Sequence, residues 1–153
     1  TTGISGNGSQ LTSLPSGLTL LSTLTTTSGT SNTTATLNLT TYKTLQIYVY
    51  NVGNTSGTQR LQFTPNGGSV STGGNSMPSS VQSSYQMITF DLASGVYGYG
   101  NFPTSRTLTA GTGAGQGGAG VNTGLTTSTT TIMFDWSGGA TFDIGSIKIY
   151  GLK

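Results

Sequence analysis

Apolar and polar residues alternate with a period of two near the end of the chain, in residues 129–153. In the first half of this segment Ile132, Phe134 and Trp136 fall on one side. Such alternation of β-branched and aromatic residues with polar ones is typical of a β-strand with one buried face. Ser-Gly-Gly at 137–139 follows, and glycine adopts the backbone angles of a tight turn without steric cost.

The residues after this turn alternate again. Gly145 interrupts the period and predicts a β-bulge. The alternation then resumes, with Ile147 and Ile149 on the core side and Lys148 and Tyr150 opposite. We therefore predict that the two strands form a β-hairpin and that this hairpin is the strongest part of the core.

Weaker alternation predicts further strands upstream. A hairpin loop is expected between the strands 42–52 and 59–64. The predicted strands are residues 17–27, 34–40, 42–52, 59–64, 85–92 and, less regularly, 104–110 and 121–128. The expected core sides of the first two carry Leu18, Leu20, Ser22 and Leu24, with Leu21 as an exception, and then Ala35, Leu37 and Leu39.

The remaining segments are rich in Gly, Ser, Thr and Asn and predict turns and loops. Residues 1–16 read as a flexible N-terminal arm, and 17–153 as one domain. GTGAGQGGAG at 111–120 is predicted to be a loop. It lacks the Lys and the following helix that a phosphate-binding loop needs. Turns or loops are also expected at 28–33 and 69–84, with an aromatic and glycine-rich loop at 96–102.

About eight strands with turns between them predict an all-β fold, an antiparallel two-sheet β-sandwich of the jelly-roll type. One core between two sheets requires an inward set of large apolar residues. The predicted set is Leu45, Ile47, Val49, Leu61, Phe63, Ile88, Phe90, Ile132, Phe134, Trp136, Phe142, Ile147 and Ile149.

Charge is scarce in this chain. Charged residues make up 5% of the sequence, against about 25% in an ordinary soluble domain. Hydroxyls and amides must keep the surface soluble, and copies with so little mutual repulsion are able to pack closely. Five scattered cations do not form the basic stripe that nucleic acids require. No disulfide is possible without cysteine, and no apolar run is long enough to span a membrane.

The sequence offers little for catalysis, because His, Cys and Glu are absent. Asp135 and Asp143 lie on the two predicted C-terminal strands, where a carboxylate pair would suit glycoside hydrolysis or, with backbone carbonyls, a Ca²⁺ ion. Solvated or turn-capping carboxylates are the favoured interpretation. We predict no catalytic residues, no metal site and no cofactor.

Aromatic residues beside amides and hydroxyls are the pattern that favours sugar binding. Tyr97, Tyr99 and Asn101 form the best such cluster, with Tyr48 and Tyr50 next. The favoured alternative places Tyr48 and Tyr50 in a subunit interface or on a second packed face. Tyr97 and Tyr99 would then close the end of the sandwich.

The C-terminal sequence ATFDIGSIKIYGLK resembles the ending of a group of tailed-bacteriophage virion structural proteins. Their ending is Phe-x-x-Gly-(Ser/Thr)-Ile-x-(Leu/Ile)-Tyr-Gly. Two upstream features look similar as well. One is YKTLQI at 42–47 followed by LQF at 61–63 and an Asn-Gly-Gly turn at 66–68, and the other is Tyr85 leading into a later strand and an aromatic and glycine-rich loop. The matching residues are Phe142, Gly145, Ser146, Ile147, Ile149, Tyr150 and Gly151.

The resemblance implies a β-sandwich virion protein, such as a capsid decoration protein, a head-fibre protein or a tail component. Its expected partners are copies of itself and other virion proteins, and its expected location is the virus particle. We therefore expect a non-enzymatic homo-oligomer. The alternative is a carbohydrate-binding or host-attachment module, for which the partner is a host surface glycan.

Overall fold

The computed structural model describes residues 17–56, 59–66, 68–72, 82–105 and 116–153. These residues contain ten β-strands and no helix, whereas about eight strands were expected. The predicted arm at 1–16 lies outside the described residues, as do residues 106–110. The described part of the chain holds no helix with the length and apolarity that a membrane crossing needs. In chain order the strands are β1 (Leu18–Thr25), β2 (Ser31–Thr33), β3 (Thr44–Asn54), β4 (Leu61–Pro65), β5 (Ser71–Thr72), β6 (Gln82–Asp91), β7 (Val96–Ser105), β8 (Gln116–Val121), β9 (Ile132–Trp136) and β10 (Phe142–Leu152).

The strands form two antiparallel sheets. The larger has six strands in the order β1-β10-β3-β6-β7-β8, and the smaller has four in the order β2-β9-β4-β5. The predicted all-β, antiparallel two-sheet sandwich is therefore confirmed.

The pairing order is that of a jelly roll. When β7 and β8 are set aside, the first strand pairs with the last and each later pair nests inside: β1 with β10, β2 with β9, β3 with β6, and β4 with β5. A long antiparallel ribbon rolled into two sheets has this nesting. The pair β7–β8 is an addition that extends the six-stranded sheet beyond β6.

One apolar core fills the space between the sheets, and all thirteen residues predicted to face inward are buried in it. Phe63 of β4 meets Phe90 of β6 edge to face, with ring centroids 5.2 Å apart. Trp136 of β9 lies 5.4 Å from Phe142 of β10. Both contacts join one sheet to the other. Burial of this surface, at about 25 cal/mol per Å², is the main term that stabilises the fold.

The predicted C-terminal hairpin is wrong. The turn at 137–139 exists, and Gly139 N–H donates to the carbonyl of Trp136. However, β9 and β10 lie in different sheets, so the turn carries the chain across the core. The expected hairpin between β3 and β4 is wrong in the same way. Alternation identifies the buried face of each strand, but a strand in either sheet buries that face against the same core.

The first predicted strand is present at the predicted position, but for part of its length the residues that face the core are not the predicted ones. The register between β1 and β10 shifts between Leu20 and Ser22. The shift turns Leu21 and Leu24 towards the core, while Leu18 and Leu20 are exposed. A bulge of this kind reverses the inward set because side chains alternate with a period of two.

The second predicted strand, 34–40, is not a strand. The strand is β2, within the predicted turn at 28–33, and the chain after it is irregular. Leu37 and Leu39 are nevertheless buried, whereas Ala35 is exposed. Leu37 N–H donates to the carbonyl of Thr130 at 2.7 Å, which attaches this irregular segment to the chain before β9.

Three predicted loops contain strands, and the one at 96–102 is the first part of β7. The loop at 69–84 includes β5 and the start of β6, and the glycine-rich stretch 111–120 includes most of β8. In β8 the glycines lie opposite tyrosines of β7: a Cβ on Gly118 would lie 2.6 Å from the Tyr99 hydroxyl oxygen, and one on Gly120 would lie 2.6 Å from the Tyr97 ring. The tyrosine rings occupy the space that the glycines leave, so these positions of β8 pair without side chains of their own.

Candidate functional site

Tyr97, a member of the candidate sugar-binding cluster, faces the core. Its side chain is only 7% exposed, and its ring lies 4.9 Å from Phe90 and 5.5 Å from Phe63 between centroids. Tyr99 is half-buried and stacks on Tyr97 at 6.4 Å. Asn101 lies further along β7, opposite Gln86 of β6. Tyr97 therefore packs in the core and Tyr99 packs against it, which leaves Tyr48 and Tyr50 as the more exposed candidates.

Tyr48 and Tyr50 point away from the core, on the outer side of β3. Tyr48 is 36% exposed and Tyr50 is 62% exposed. Neighbouring strands present more large side chains on the same side, which we call the aromatic face. Its central members are Tyr48, Tyr50, Tyr85, Met87 and Tyr150.

Four of these tyrosines form two fixed pairs on the aromatic face. Tyr48 and Tyr150 meet edge to face with centroids 5.5 Å apart, and Tyr50 and Tyr85 do so at 5.0 Å. Edge-to-face pairs are favourable beyond the area that they bury, and they restrict the orientation of each ring. Burial, and then the neighbouring Tyr50, raise the pKa of Tyr85 above its ordinary value. The Tyr85 phenol is therefore neutral at physiological pH.

A groove lies among these rings, with a volume of about 390 Å³. The strand register places its members side by side, since Tyr50 lies opposite Ser146 and Tyr48 opposite Lys148. Tyr48 also donates its hydroxyl proton to Gln46 Oε1 at 3.0 Å, which restrains its ring. The lining residues are Tyr48, Tyr50, Ser146, Lys148 and Tyr150.

The predicted bulge at Gly145 is confirmed, and it sets the position of the groove. Gly145 has a φ of 106°, and a Cβ there would lie 2.5 Å from the carbonyl oxygen of Asn51. Asn51 on β3 also has a positive φ, 53°. The β10–β3 register shifts between Ile144 and Ser146. The two strands thus bend together at one end of the groove, and Ser146 and Lys148 follow in regular alternation.

Lys148 is the charged group of the groove, and its amine is exposed. Its neighbours in register are the hydroxyl side chains Thr23 on β1 and Tyr48 on β3. Asp91 is the carboxylate of the same face, and it lies at the far end of β6, opposite Thr44. The groove therefore combines phenolic rings, hydroxyls and one positive charge.

The outer side of the four-stranded sheet differs, and we call it the polar face. In register, Asp135 of β9 lies between Ser31 of β2 and Gln62 of β4. The next outward position places Met133 between Thr33 and Thr64. Burial raises the pKa of Asp135. Its Oδ1 is buried and has no hydrogen-bond partner among the described residues.

The hypothesis of a carboxylate pair on adjacent strands is wrong. Asp135 lies on β9 and Asp143 on β10, and these strands belong to different sheets. Within the described residues, no cluster of three or more His, Cys, Asp or Glu side chains could hold a metal ion.

Sequence reasoning missed Tyr85, Met87 and Ser146 as members of the aromatic face, although Tyr150 was placed on the outward side of its strand. The available sequence signal was that these residues lie on the non-core sides of three different strands. Their assignment to one face requires the strand order β10-β3-β6, which no local sequence pattern contains. Comparison of the chain with family models, curated proteins and solved structures found no match.

Proposed function

We propose that the chain is a non-enzymatic structural protein of a virus particle, where it associates with copies of itself and with neighbouring virion proteins. The jelly-roll strand order supports this, because that architecture is common in viral capsid proteins. The same architecture also occurs in lectins, so the fold alone does not select the function. The C-terminal resemblance to bacteriophage virion proteins favours the first role.

The observation that carries the proposal is the concentration of exposed apolar side chains on one outer face. Among the described residues, eight large apolar side chains are exposed, and seven of them lie on the outer side of the six-stranded sheet, Val70 being the exception. A protein that worked alone would gain nothing from such a surface. Contiguous exposed apolar patches mark interaction sites in soluble proteins.

The two margins of this face are the contact regions that we assign to neighbouring copies. Leu18 and Leu20 lie on β1, the first strand of the six-stranded sheet. Val96 and Val121 are paired in register on β7 and β8 at the other margin, and both are exposed. Contacts between opposite margins would arrange copies side by side, a head-to-tail association that closes into a ring or extends into an array.

Low charge makes this arrangement favourable. The whole chain carries five basic and three acidic residues. Copies in contact therefore experience little electrostatic repulsion, and salt has little to screen. We expect the association to persist at high ionic strength, in contrast to assemblies held by ion pairs.

The test introduces charge at the margins. Leu20→Lys with Val121→Lys should abolish association, because each lysine would be desolvated at a contact without a partner. Sedimentation velocity and light scattering over a wide concentration range measure the result. Thr33→Lys is the matched control for each of the two substitutions made singly, since it adds one positive charge at an exposed position of the polar face.

A wild-type chain that stays monomeric at every concentration and does not bind to virus particles would refute the proposal. Equal loss of association in the Thr33→Lys control would refute the assignment to the margins. Circular dichroism of each variant verifies that the fold is retained.

A further inference from the structure

We propose that the tyrosine-lined groove binds an acidic polysaccharide, with one hexuronate ring against the tyrosines and its carboxylate at the Lys148 amine. The site is the set Tyr48, Tyr50, Ser146, Lys148 and Tyr150. This is a binding activity beyond structural assembly, because association of copies through the margins does not require a ligand in the groove.

The shape of the groove fits a saccharide chain. Its volume of about 390 Å³ is within the range of small-molecule binding sites. It follows Ser146, Lys148 and Tyr150, three successive outward positions of β10. At about 3.4 Å per residue these positions span roughly 13 Å. That length exceeds a single sugar ring, so the groove suits an extended segment of polymer.

The lining chemistry fits the two sides of a sugar ring. The C–H face of a pyranose is apolar and packs flat on an aromatic ring, while its hydroxyls need donors and acceptors around the rim. Partly exposed Tyr48 and Tyr50 offer both, since each ring ends in a phenolic hydroxyl. Ser146 adds another hydroxyl opposite Tyr50.

The rings are restrained before a ligand arrives. Tyr48 is held by its edge-to-face contact with Tyr150 and by its hydrogen bond to Gln46. Tyr50 is held by Tyr85 on the neighbouring strand. Less side-chain freedom then remains to be lost on binding, and preorganisation of this kind improves affinity.

Charge selects an acidic sugar. Lys148 is the cation of the groove, and its neighbours in register are uncharged. A carboxylate on the bound ring would form a charge-assisted hydrogen bond with the ammonium group. A nucleic acid fits less well, because closely spaced phosphates need several cations and this groove supplies one.

Side-by-side copies would multiply the effect of a weak site. The groove lies over the centre of the sheet, on β3 and β10, whereas the proposed contacts lie at its margins. An array of copies would therefore present many grooves to one polysaccharide, and linked sites bind more tightly than single ones. Only this gain depends on the proposed association; binding at one groove does not.

The experiment titrates the protein with a galacturonate oligomer by calorimetry and by NMR, in parallel with the same oligomer methyl-esterified on its carboxyls. We expect the acidic oligomer to bind and esterification to weaken binding about tenfold. Lys148→Gln should cause a loss of similar size. Tyr50→Ser should weaken both oligomers about tenfold, because it removes the stacking surface.

Controls separate the groove from general charge and from assembly. Lys43→Gln removes an exposed charge outside the groove lining and should leave affinity unchanged. Val121→Lys alone, which blocks contacts at the β8 margin far from the groove, should keep single-site affinity and lose only the gain from many copies. Failure of sugar binding with association intact would thus be distinguished from failure of association.

Several results would overturn the assignment. They are no binding of the acidic oligomer, equal binding of its ester, or tighter binding of a sialylated oligosaccharide than of the uronate. A further result would show that a second copy of the chain, and not a sugar, occupies the groove. If Lys148→Gln and Tyr50→Ser abolish self-association without changing sugar binding, the groove is a contact between copies.

Discussion

The outer faces of the two sheets expose different kinds of side chain, although the strands beneath them alternate in the same way. The aromatic face carries Tyr48 and Tyr50 at its centre and Leu20 towards one edge. The polar face carries mainly hydroxyl, amide and carboxylate groups, such as Gln62 and Asp135. Both faces cover the same apolar core, so the core does not explain the difference.

Outward positions of a strand are free of the demands of core packing, so their composition reports what else the surface does. Thr, Ser and Gln on the polar face provide solubility in a chain with little charge. Tyr, Met and Leu on the aromatic face reduce solubility, and a patch of this kind is typical of a surface that meets another molecule. The comparison therefore favours function at the aromatic face and solvation at the polar face.

Gly145→Ala should have the largest effect, because it disrupts the bulge beneath the aromatic face. The new methyl group would meet the backbone of Asn51 and Val52 at 2.5–2.6 Å, at a φ that non-glycine residues rarely adopt. We expect a loss of about 3 kcal/mol or more in the free energy of unfolding. Urea denaturation followed by circular dichroism measures it.

Gly139→Ala is the matched control for this prediction. Gly139 also has a positive φ, 71°, but a Cβ there would meet nothing within 4 Å. Only the backbone strain remains, and we expect a loss of about 1 kcal/mol. Equal losses in the two variants would mean that close packing at the bulge contributes nothing.

Asp135→Asn tests the polar face and should stabilise the protein at neutral pH. Burial raises the pKa of this carboxyl, so the folded state holds the proton more tightly than the unfolded state does. The stability contributed by the protonated form is complete below the unfolded pKa of about 3.9 and is lost as pH rises through the folded value. An amide has no charge to desolvate, and because the carboxyl is partly exposed and solvent screens its charge, we expect a gain of no more than about 1 kcal/mol.

Thermal unfolding at a neutral and at an acidic pH measures this effect. The advantage of Asp135→Asn should disappear in acid, where the wild-type carboxyl is itself neutral. An advantage that is independent of pH would show that desolvation of the charge is not the cause.

Tyr50→Thr should change stability less than Asp135→Asn does. The substitution removes the edge-to-face contact with Tyr85, but Tyr50 is 62% exposed and threonine suits a strand. We expect a loss of about 0.5 kcal/mol in the free energy of unfolding, measured by urea denaturation. Gln62→Thr at the corresponding outward side of β4 is the control and should stay within about 0.5 kcal/mol of wild type.

The same two variants also test whether the aromatic face and the polar face differ in their effect on solubility. Tyr50→Thr should raise the solubility limit in ammonium sulfate, because it reduces the exposed apolar area, whereas Gln62→Thr should leave it unchanged. Equal changes in the two variants would remove the proposed distinction between the faces.

The buried side of each strand was predictable, because it is a local property of the sequence. Alternation alone identifies the buried side of β9, and its three residues Ile132, Phe134 and Trp136 are all buried. Sheet membership is not local. The turn at 137–139 serves a hairpin or a crossing between sheets equally well, since Phe134 and Phe142 reach one core in either case.

The candidate site was only partly predictable for related reasons. The outward direction of Tyr48 and Tyr50 followed from Leu45, Ile47 and Val49 on the other side of the strand. β7 has no such row of apolar residues to identify its core side, because glycines alternate with its tyrosines. The buried side of Tyr97 depends on Phe63 and Phe90, which lie on other strands. The glycines of β8 carry no apolar pattern, and their partners are the tyrosine rings of β7.

The smallest expected effect is on the pH dependence of stability in acid. Each face carries an aspartate, and the pKa shifts of the two aspartates have opposite signs. Hydrogen bonds from the Ala93 N–H, and then from the Ser94 hydroxyl, lower the pKa of Asp91 at the end of the aromatic face. A lowered value contributes stability above the unfolded pKa of about 3.9, and this is lost as pH falls through the folded value. Asp135 on the polar face has the reverse dependence.

The melting temperature of the wild type below about pH 4 is therefore a sum of two opposing slopes. Asp91→Asn should flatten the decline towards acid, because an amide has no proton to gain and its one accepting oxygen is available to the Ala93 N–H at every pH. Asp135→Asn should steepen the decline, because it removes the gain from protonation. Since Asp91 is fully exposed, its contribution is small, and differential scanning calorimetry on both variants and their double mutant is the appropriate measurement. If both single variants changed the slope in the same direction relative to wild type, this would contradict the contrast between an exposed, hydrogen-bonded carboxylate on one face and a desolvated one on the other.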